Sequence, residues 1–170
     1  MKIIDLHFLK FKDIDLQLLM SSEDVGLYTI WDSRAKVKPS YIGQGNIIQR
    51  FAVHKKKYSF PIDGYIALYE KSKTTKKDME IAEAILLGFS ELVDRFPSNN
   101  ISSGAENFLR ESVSKNNKLR LNMHNYNPFE HPKRSSEIVS KNIIELYFDD
   151  EDLVFDSLLR KRKKSVRFLR

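Results

Sequence analysis

The chain has no cysteine, which excludes disulfides and thiolate zinc sites and suits a reducing compartment. It also lacks a long apolar run. Its first twenty residues are rich in apolar types, but Asp5, Lys10, Lys12, Asp13 and Asp15 interrupt them. No signal-peptide core or membrane span is expected there, and a cytoplasmic protein without a membrane partner is the expectation. Gly43 and Gly45 are not followed by Gly-Lys-Ser/Thr, so a nucleotide-binding loop is excluded. No internal repeat, zinc finger or helix-turn-helix pattern is visible.

What is present describes a folded protein. The 170 residues are 41% hydrophobic and 31% charged, enough for one domain with a real core plus an extension. The formal net charge of +6 is unevenly spread. Residues 1–33 carry −3, residues 34–77 carry +9, residues 78–159 carry −7, and the last eleven carry +7. Such a basic block is the usual electrostatic footprint of phosphate binding. Charge placed for solubility alone more often intersperses the two signs.

Apolar alternation over Ile4, Leu6 and Phe8, then Ile14, Leu16 and Leu18, predicts one or two half-buried strands in 2–19. Val25 to Trp31 reads as a strand, Asp32 to Pro39 as a hairpin loop, and Ser40 to Gly43 as the returning strand. Gly43 to Asn46 is expected to break that strand and cap a helix. On this helix Ile47, Ile48, Phe51 and Ala52 form the apolar arc, with Asn46, Arg50, His54 and Lys57 on another face and fraying near Lys55. Ile62 to Tyr69 predicts a third strand. After the Lys71 to Lys77 loop, Asp78 to Phe96 is the clearest helix, striped by Ala82, Ile85, Leu86, Phe89, Val93 and Phe96. Pro97-Ser98-Asn99-Asn100 terminates it. Beyond it, 115–136 looks like loop or linker, Asn142 to Phe148 like a strand, and Asp149 to Leu159 like a short helix.

The most informative feature is a pair of tripeptides. Gly26-Leu27-Tyr28 and Tyr41-Ile42-Gly43 place their tyrosines thirteen positions apart, and Arg50 and His54 follow at helical spacing. A glutamate on the later helix and an asparagine after a proline complete the arrangement. It resembles the GIY-YIG nuclease family over about residues 25–100, with Leu27 replacing the commonest residue at the middle of the first tripeptide. The resemblance implies a small α/β (α+β) core, a three-stranded antiparallel sheet flanked by helices, over 21–100. Residues 1–20 then form an N-terminal extension of strands packed on the core. Residues 101–170 form a C-terminal extension for specificity or dimerisation, with a basic tail at 160–170.

The residue types suit phosphodiester hydrolysis, which needs an activated water and stabilised charge on the phosphate oxygens. Arg50 offers a permanently charged planar fork. The resemblance implies that Tyr28 activates or positions the water. A phenol with an ordinary pKa near ~10 needs a nearby cation or metal for that. His54, one turn beyond Arg50, faces the same phosphate and shares the proton transfer. For Tyr41, packing in the strand and a hydroxyl reaching the phosphate are both open. For the metal ligand, Glu83 lies at the border of the apolar stripe whereas Glu80 points outward. Glu83 is therefore the expected ligand for one Mg²⁺ (or Mn²⁺), which accepts few protein carboxylates. Family spacing selects Asn100 over Asn99, although a turn asparagine explains either equally well. Lys55, Lys56, Lys57 and Lys73, with Lys71, Lys76 and Lys77, are expected to contact phosphate without reading sequence.

These readings converge on a Mg²⁺-dependent endonuclease acting on DNA, with RNA left open and a homodimer allowed. The alternatives are a nucleic-acid-binding module of the same fold without chemistry, or a domain whose basic block binds an acidic protein.

Overall fold

Alternation in the first ten residues builds the strand around which the sheet is organised. In β1 (Lys2–Lys10), Ile4, Leu6 and Phe8 point into the core while Ile3, Asp5, His7 and Leu9 face outward, as the two-residue period of a strand requires. Lys10 ends the buried row. Its Nζ donates to the Ser135 carbonyl at 2.6 Å and lies 4.7 Å from the Tyr126 ring centroid, giving a buried ammonium the partners it needs.

The computed structural model describes residues 1–14, 25–34, 39–68, 74–92, 103–159 and 162–168. Seven further strands are β2 (Val25–Asp32), β3 (Tyr41–Asn46), β4 (Ile62–Leu68), β5 (Lys118–Asn125), β6 (Ile138–Asp149), β7 (Asp152–Leu159) and β8 (Arg162–Phe168). They join β1 in one mixed eight-stranded sheet of order β3-β2-β4-β1-β5-β6-β7-β8. The expected small three-stranded sheet flanked by helices is thus corrected, although the broad α+β character holds. The three strands β3-β2-β4 do pair antiparallel, but they are only one end of the sheet. The cause lies in β1. Phe8–Lys10 pair antiparallel with Tyr65–Ala67 of β4, and Lys2–His7 pair parallel with Leu119–His124 of β5. Paired through its C-terminal end on one edge and its N-terminal end on the other, β1 joins the two halves.

Helix α1 (Ile47–Lys57) packs on one face, where Ile47 meets Tyr28, Ile30 and Ile66. Leu27 and Trp31, the alternate residues of β2, point to the other face. There α2 (Lys76–Leu92) contributes Met79, Ala82, Ile85, Leu86 and Phe89, and α3 (Ser103–Asn116) contributes Leu109 and Val113. Both helices begin on sequence-encoded stops. Asn46 caps α1 by accepting from the Gln49 amide at 3.0 Å. For α2, the Thr75 hydroxyl accepts from the Asp78 amide at 3.2 Å while the Asp78 carboxylate accepts from the Thr75 amide at 2.8 Å. That reciprocal pair is a capping box. No described helix is long and apolar enough to cross a membrane.

Several local expectations change. β3 continues through Gly45 to Asn46, because Gly43 and Gly45 pair with Tyr28 and Gly26 across the ladder. α1 does not fray at Lys55; the Tyr58 amide closes the last turn on the His54 carbonyl at 2.9 Å. The lysines there also suit the negative end of the helix dipole. Within 115–136, β5 replaces the expected loop, since Leu119, Leu121 and Met123 form a fully buried alternating row. Asp149 to Leu159 is not a helix. Asp150 at φ 54° turns a tight hairpin between β6 and β7, closed by the Asp149–Asp152 pair. α3 was not expected, and the basic tail supplies the edge strand β8. Leu16, Leu18, Tyr69, Lys71, Lys73, Val93, Phe96 and Pro97 to Asn100 lie outside the described residues.

Leu6 is 2% exposed in the strand shared by both halves. Leu6→Ala is expected to lower stability by about 2–5 kcal/mol and to shift Trp31 fluorescence and far-ultraviolet dichroism together in a denaturant titration. Separate midpoints for the two signals would show that the halves melt independently and that β1 does not couple them.

Candidate active site

The two glycines of the paired tripeptides are there because neighbours come too close for a side chain. A Cβ on Gly43 would lie 2.4 Å from Tyr41 Cε1 and 2.9 Å from the Tyr28 hydroxyl. One on Gly26 would lie 2.7 Å from the Ala67 carbonyl oxygen and 3.1 Å from Ile47 Cδ1. The first clearance lets the Tyr28 phenol lie across β3. The second lets β4 and the first turn of α1 close on β2. Both exceed what van der Waals contact tolerates, so each glycine is needed for the site's shape.

Tyr28 pairs with Gly43 across the β2–β3 ladder and is 1% exposed. Its ring stacks on Tyr41 at 5.9 Å between centroids, 16° from parallel, and a hydrogen bond joins the two hydroxyls. The Tyr28 hydroxyl is also hydrogen-bonded to His54 Nε2 at 3.1 Å. His54 does not lie on a solvated face. It is 5% exposed, following Ile47 and Phe51 at i+7 and i+3 on the side of α1 turned to the sheet, while Ala52 of the expected apolar arc is exposed. The Tyr41 and Tyr58 rings lie 4.5 and 5.7 Å from it. His54 Nδ1 is buried with no hydrogen-bond partner among the described residues.

Burial dominates the electrostatics. It pushes the Tyr28 phenol well up, with Tyr41 adding to the shift and Arg50 opposing it. It raises the Tyr41 phenol too, helped by Glu83 and opposed by Arg50. It lowers the His54 imidazolium, and Lys57 and Arg50 lower it further. His54 is therefore neutral at pH values near ~7. Glu83 is pushed up to about 7, again chiefly by burial, against the pull of Arg50 and a hydrogen bond donated by the Gln44 amide. That bond brings α2 to the β3 edge. Arg50 is exposed, on the turn of α1 before His54, with its Nε 3.3 Å from where a Cβ on Gly45 would lie.

Tyr28, Tyr41, Arg50, His54 and Glu83 thus converge from β2, β3, α1 and α2 on one corner of the sheet. Glu80 stands apart: its side chain is 40% exposed, with Lys76 Nζ 4.0 Å away at i−4. Lys55, Lys56 and Lys57 are exposed on the last turn of α1. Lys73, Asn99 and Asn100 lie outside the described residues. Sequence reasoning missed two participants. The Gln44 amide that holds Glu83 gives no side-chain signal at all. Tyr58 stacked on His54 had one, its i+4 spacing from that histidine.

No group of three or more His, Asp or Glu side chains forms a metal cage among the described residues. Mg²⁺ needs less, because it keeps most of its waters and binds through one or two carboxylates plus substrate phosphate. A single desolvated carboxyl such as Glu83, at the edge of a site that also holds Arg50, fits that donor set. No family model, curated protein or solved structure matches the chain.

The Glu83 carboxyl, normally near 4.5, holds its proton up to about 7 when the chain is folded. Between those values the folded state binds the extra proton, so stability falls as pH rises through the window and then levels. Glu83→Gln is expected to abolish this slope, so its thermal midpoint gains on wild type from about pH 4.5 to about 7. Parallel pH profiles for the two proteins would show that Glu83 is not desolvated.

Proposed function

We propose that the protein is a GIY-YIG-type nuclease that hydrolyses phosphodiester bonds in DNA, using Mg²⁺ or Mn²⁺ held by Glu83. The observation that carries this reading is the convergence of Tyr28, Tyr41, Arg50, His54 and Glu83 on one corner, with the Tyr28 hydroxyl 3.1 Å from His54 Nε2. Residues separated by more than fifty positions meet there, in a combination that packing alone does not require.

The perturbed groups define a division of labour. The Tyr28 phenol, raised by burial, is not a free phenolate base, but it is bonded to a neutral imidazole that can take its proton. An attacking water passes its proton to the Tyr28 oxygen as the Tyr28 proton moves to His54 Nε2. The oxygen of that water bonds to phosphorus, the bond to the leaving oxygen breaks, and solvent protonates the leaving group. Arg50, permanently charged and exposed at this corner, stabilises the extra negative charge on the phosphate oxygens. Glu83 would hold the metal ion, which would supply further positive charge to the phosphate during hydrolysis. Glu83 holds its proton up to about 7, and a protonated carboxyl would be a poor metal ligand, so cleavage is expected to fall as pH drops below that value.

Cleavage of plasmid and oligonucleotide DNA, with and without Mg²⁺, tests the reading. Tyr28→Phe, Arg50→Ala and Glu83→Gln are each expected to lose about 100-fold or more in rate. Replacing Lys55, Lys56 and Lys57 by alanine should leave the rate at saturation intact and reduce the salt slope of binding by about 2–3. If wild type cuts no better than Arg50→Ala and Glu83→Gln, the enzyme reading fails. Salt-dependent binding without cutting then marks a nucleic-acid-binding module.

A further inference from the structure

An aromatic ladder leads out of the site. From Tyr28 it runs to Tyr41 (5.9 Å between centroids, 16°), to His54 (4.5 Å, 52°), to Tyr58 (5.7 Å, 11°) and to Phe60 (4.7 Å, 28°). The inner rings are buried or packed against the α1 cluster. Phe60 is different. It is partly exposed and belongs to neither hydrophobic cluster among the described residues. It ends the segment Lys55-Lys56-Lys57-Tyr58-Ser59-Phe60, whose three lysines are exposed, with Lys57 Nζ 5.5 Å from the Tyr58 ring centroid. A near-parallel ring pair whose terminal ring is partly exposed stands beside three exposed lysines and two ring steps from His54, the combination that a single-strand stacking platform needs. The lysines follow the backbone and the ring takes a base whatever its identity.

We infer that Tyr58 and Phe60 form a stacking platform for an unpaired base next to the scissile phosphate, so the preferred substrate is single-stranded or locally unpaired DNA. This rests on the nuclease reading of the same corner. A base inside a duplex is stacked on both sides and presents no free face to Phe60. A splayed strand, with one phosphate at Arg50 and the Tyr28–His54 pair, lays the neighbouring base on the ladder's outer ring. A second copy of the chain is not the occupant, because two such lysine-rich segments repel each other.

The test uses the full chain and three DNAs of one sequence: single strand, duplex, and duplex with a single-stranded flap. Binding and Mg²⁺-dependent cleavage are measured for wild type, Phe60→Ala and Phe60→Leu, with thermal melting as the control for folding. Phe60→Leu keeps the apolar volume but loses the ring, so it separates stacking from packing. Both variants are expected to weaken single-strand and flap binding about tenfold and to leave duplex binding and the melting midpoint near wild type. Equal losses on all three DNAs, or none, overturn the platform while leaving the nuclease reading intact. A wild type that neither binds nor cuts any of them overturns both.

Discussion

The double pairing of β1 is the constraint on which the molecule depends. A strand offers two hydrogen-bonding edges, and here each is taken by a different half of the chain, Tyr65–Ala67 of β4 on one side and Leu119–His124 of β5 on the other. An unpaired edge is a standing invitation to association. A three-stranded unit ending at β4 would have left that edge open. The parallel pairing with β5 also carries a large loop-closure cost, since more than a hundred residues separate the partners. The buried rows Ile4-Leu6-Phe8 and Leu119-Leu121-Met123, packed beneath α2 and α3, offset it. The site at the β3 edge therefore rests on a scaffold completed by the last third of the chain.

The site is built from groups that burial drives toward neutrality. Tyr28 and Tyr41 keep their protons, His54 declines one, and Glu83 holds its own up to about 7. Among these five residues Arg50 alone keeps a fixed charge. Such a corner is close to neutral, with one fixed positive charge beside a carboxyl that burial keeps protonated. The orphaned Nδ1 of His54 fits the same picture. A buried unpaired ring nitrogen costs about 1–3 kcal/mol, which the packing of His54 against Tyr28, Tyr41 and Tyr58 must offset.

How far the sequence was legible follows from these same forces. The three strands around the paired tripeptides and the stripe of α2 were readable because β-branched and apolar periodicities are local signals. Glu83 and Glu80 were separable on a helical wheel, and they do sit differently, one against the Gln44 amide and one beside Lys76. His54 was misplaced because a histidine reads as polar, whereas its bond to Tyr28 pays for its burial. β5 was hidden because its outward residues are Lys, Arg, Asn and His, which resemble a loop when the buried Leu119-Leu121-Met123 row is not counted. β7 was hidden by the acids of its hairpin turn, which mimic a helix start. The eight-stranded order was not legible at all, because nothing local to β1 announces a partner more than a hundred residues away.

The charge blocks acquire a spatial meaning only in the fold. The acidic stretch and the basic tail adjoin each other at the far end of the sheet. There Arg167 of β8 reaches Asp149 and Asp152 at the β6–β7 hairpin, and Lys118 and Arg120 share Glu145. These named side chains are paired with one another. At the opposite end Arg50 and Lys55–Lys57 are exposed on two successive turns of α1, and none of them forms an ion pair among the described residues. A net charge of +6 spread evenly would attract a polyanion to any surface. Partly paired at one end and unpaired on α1 among the described residues, positive charge is concentrated beside the corner where Tyr28, His54 and Glu83 meet. The three lysines of α1 are therefore the cations that the proposed nuclease reading would set against phosphate.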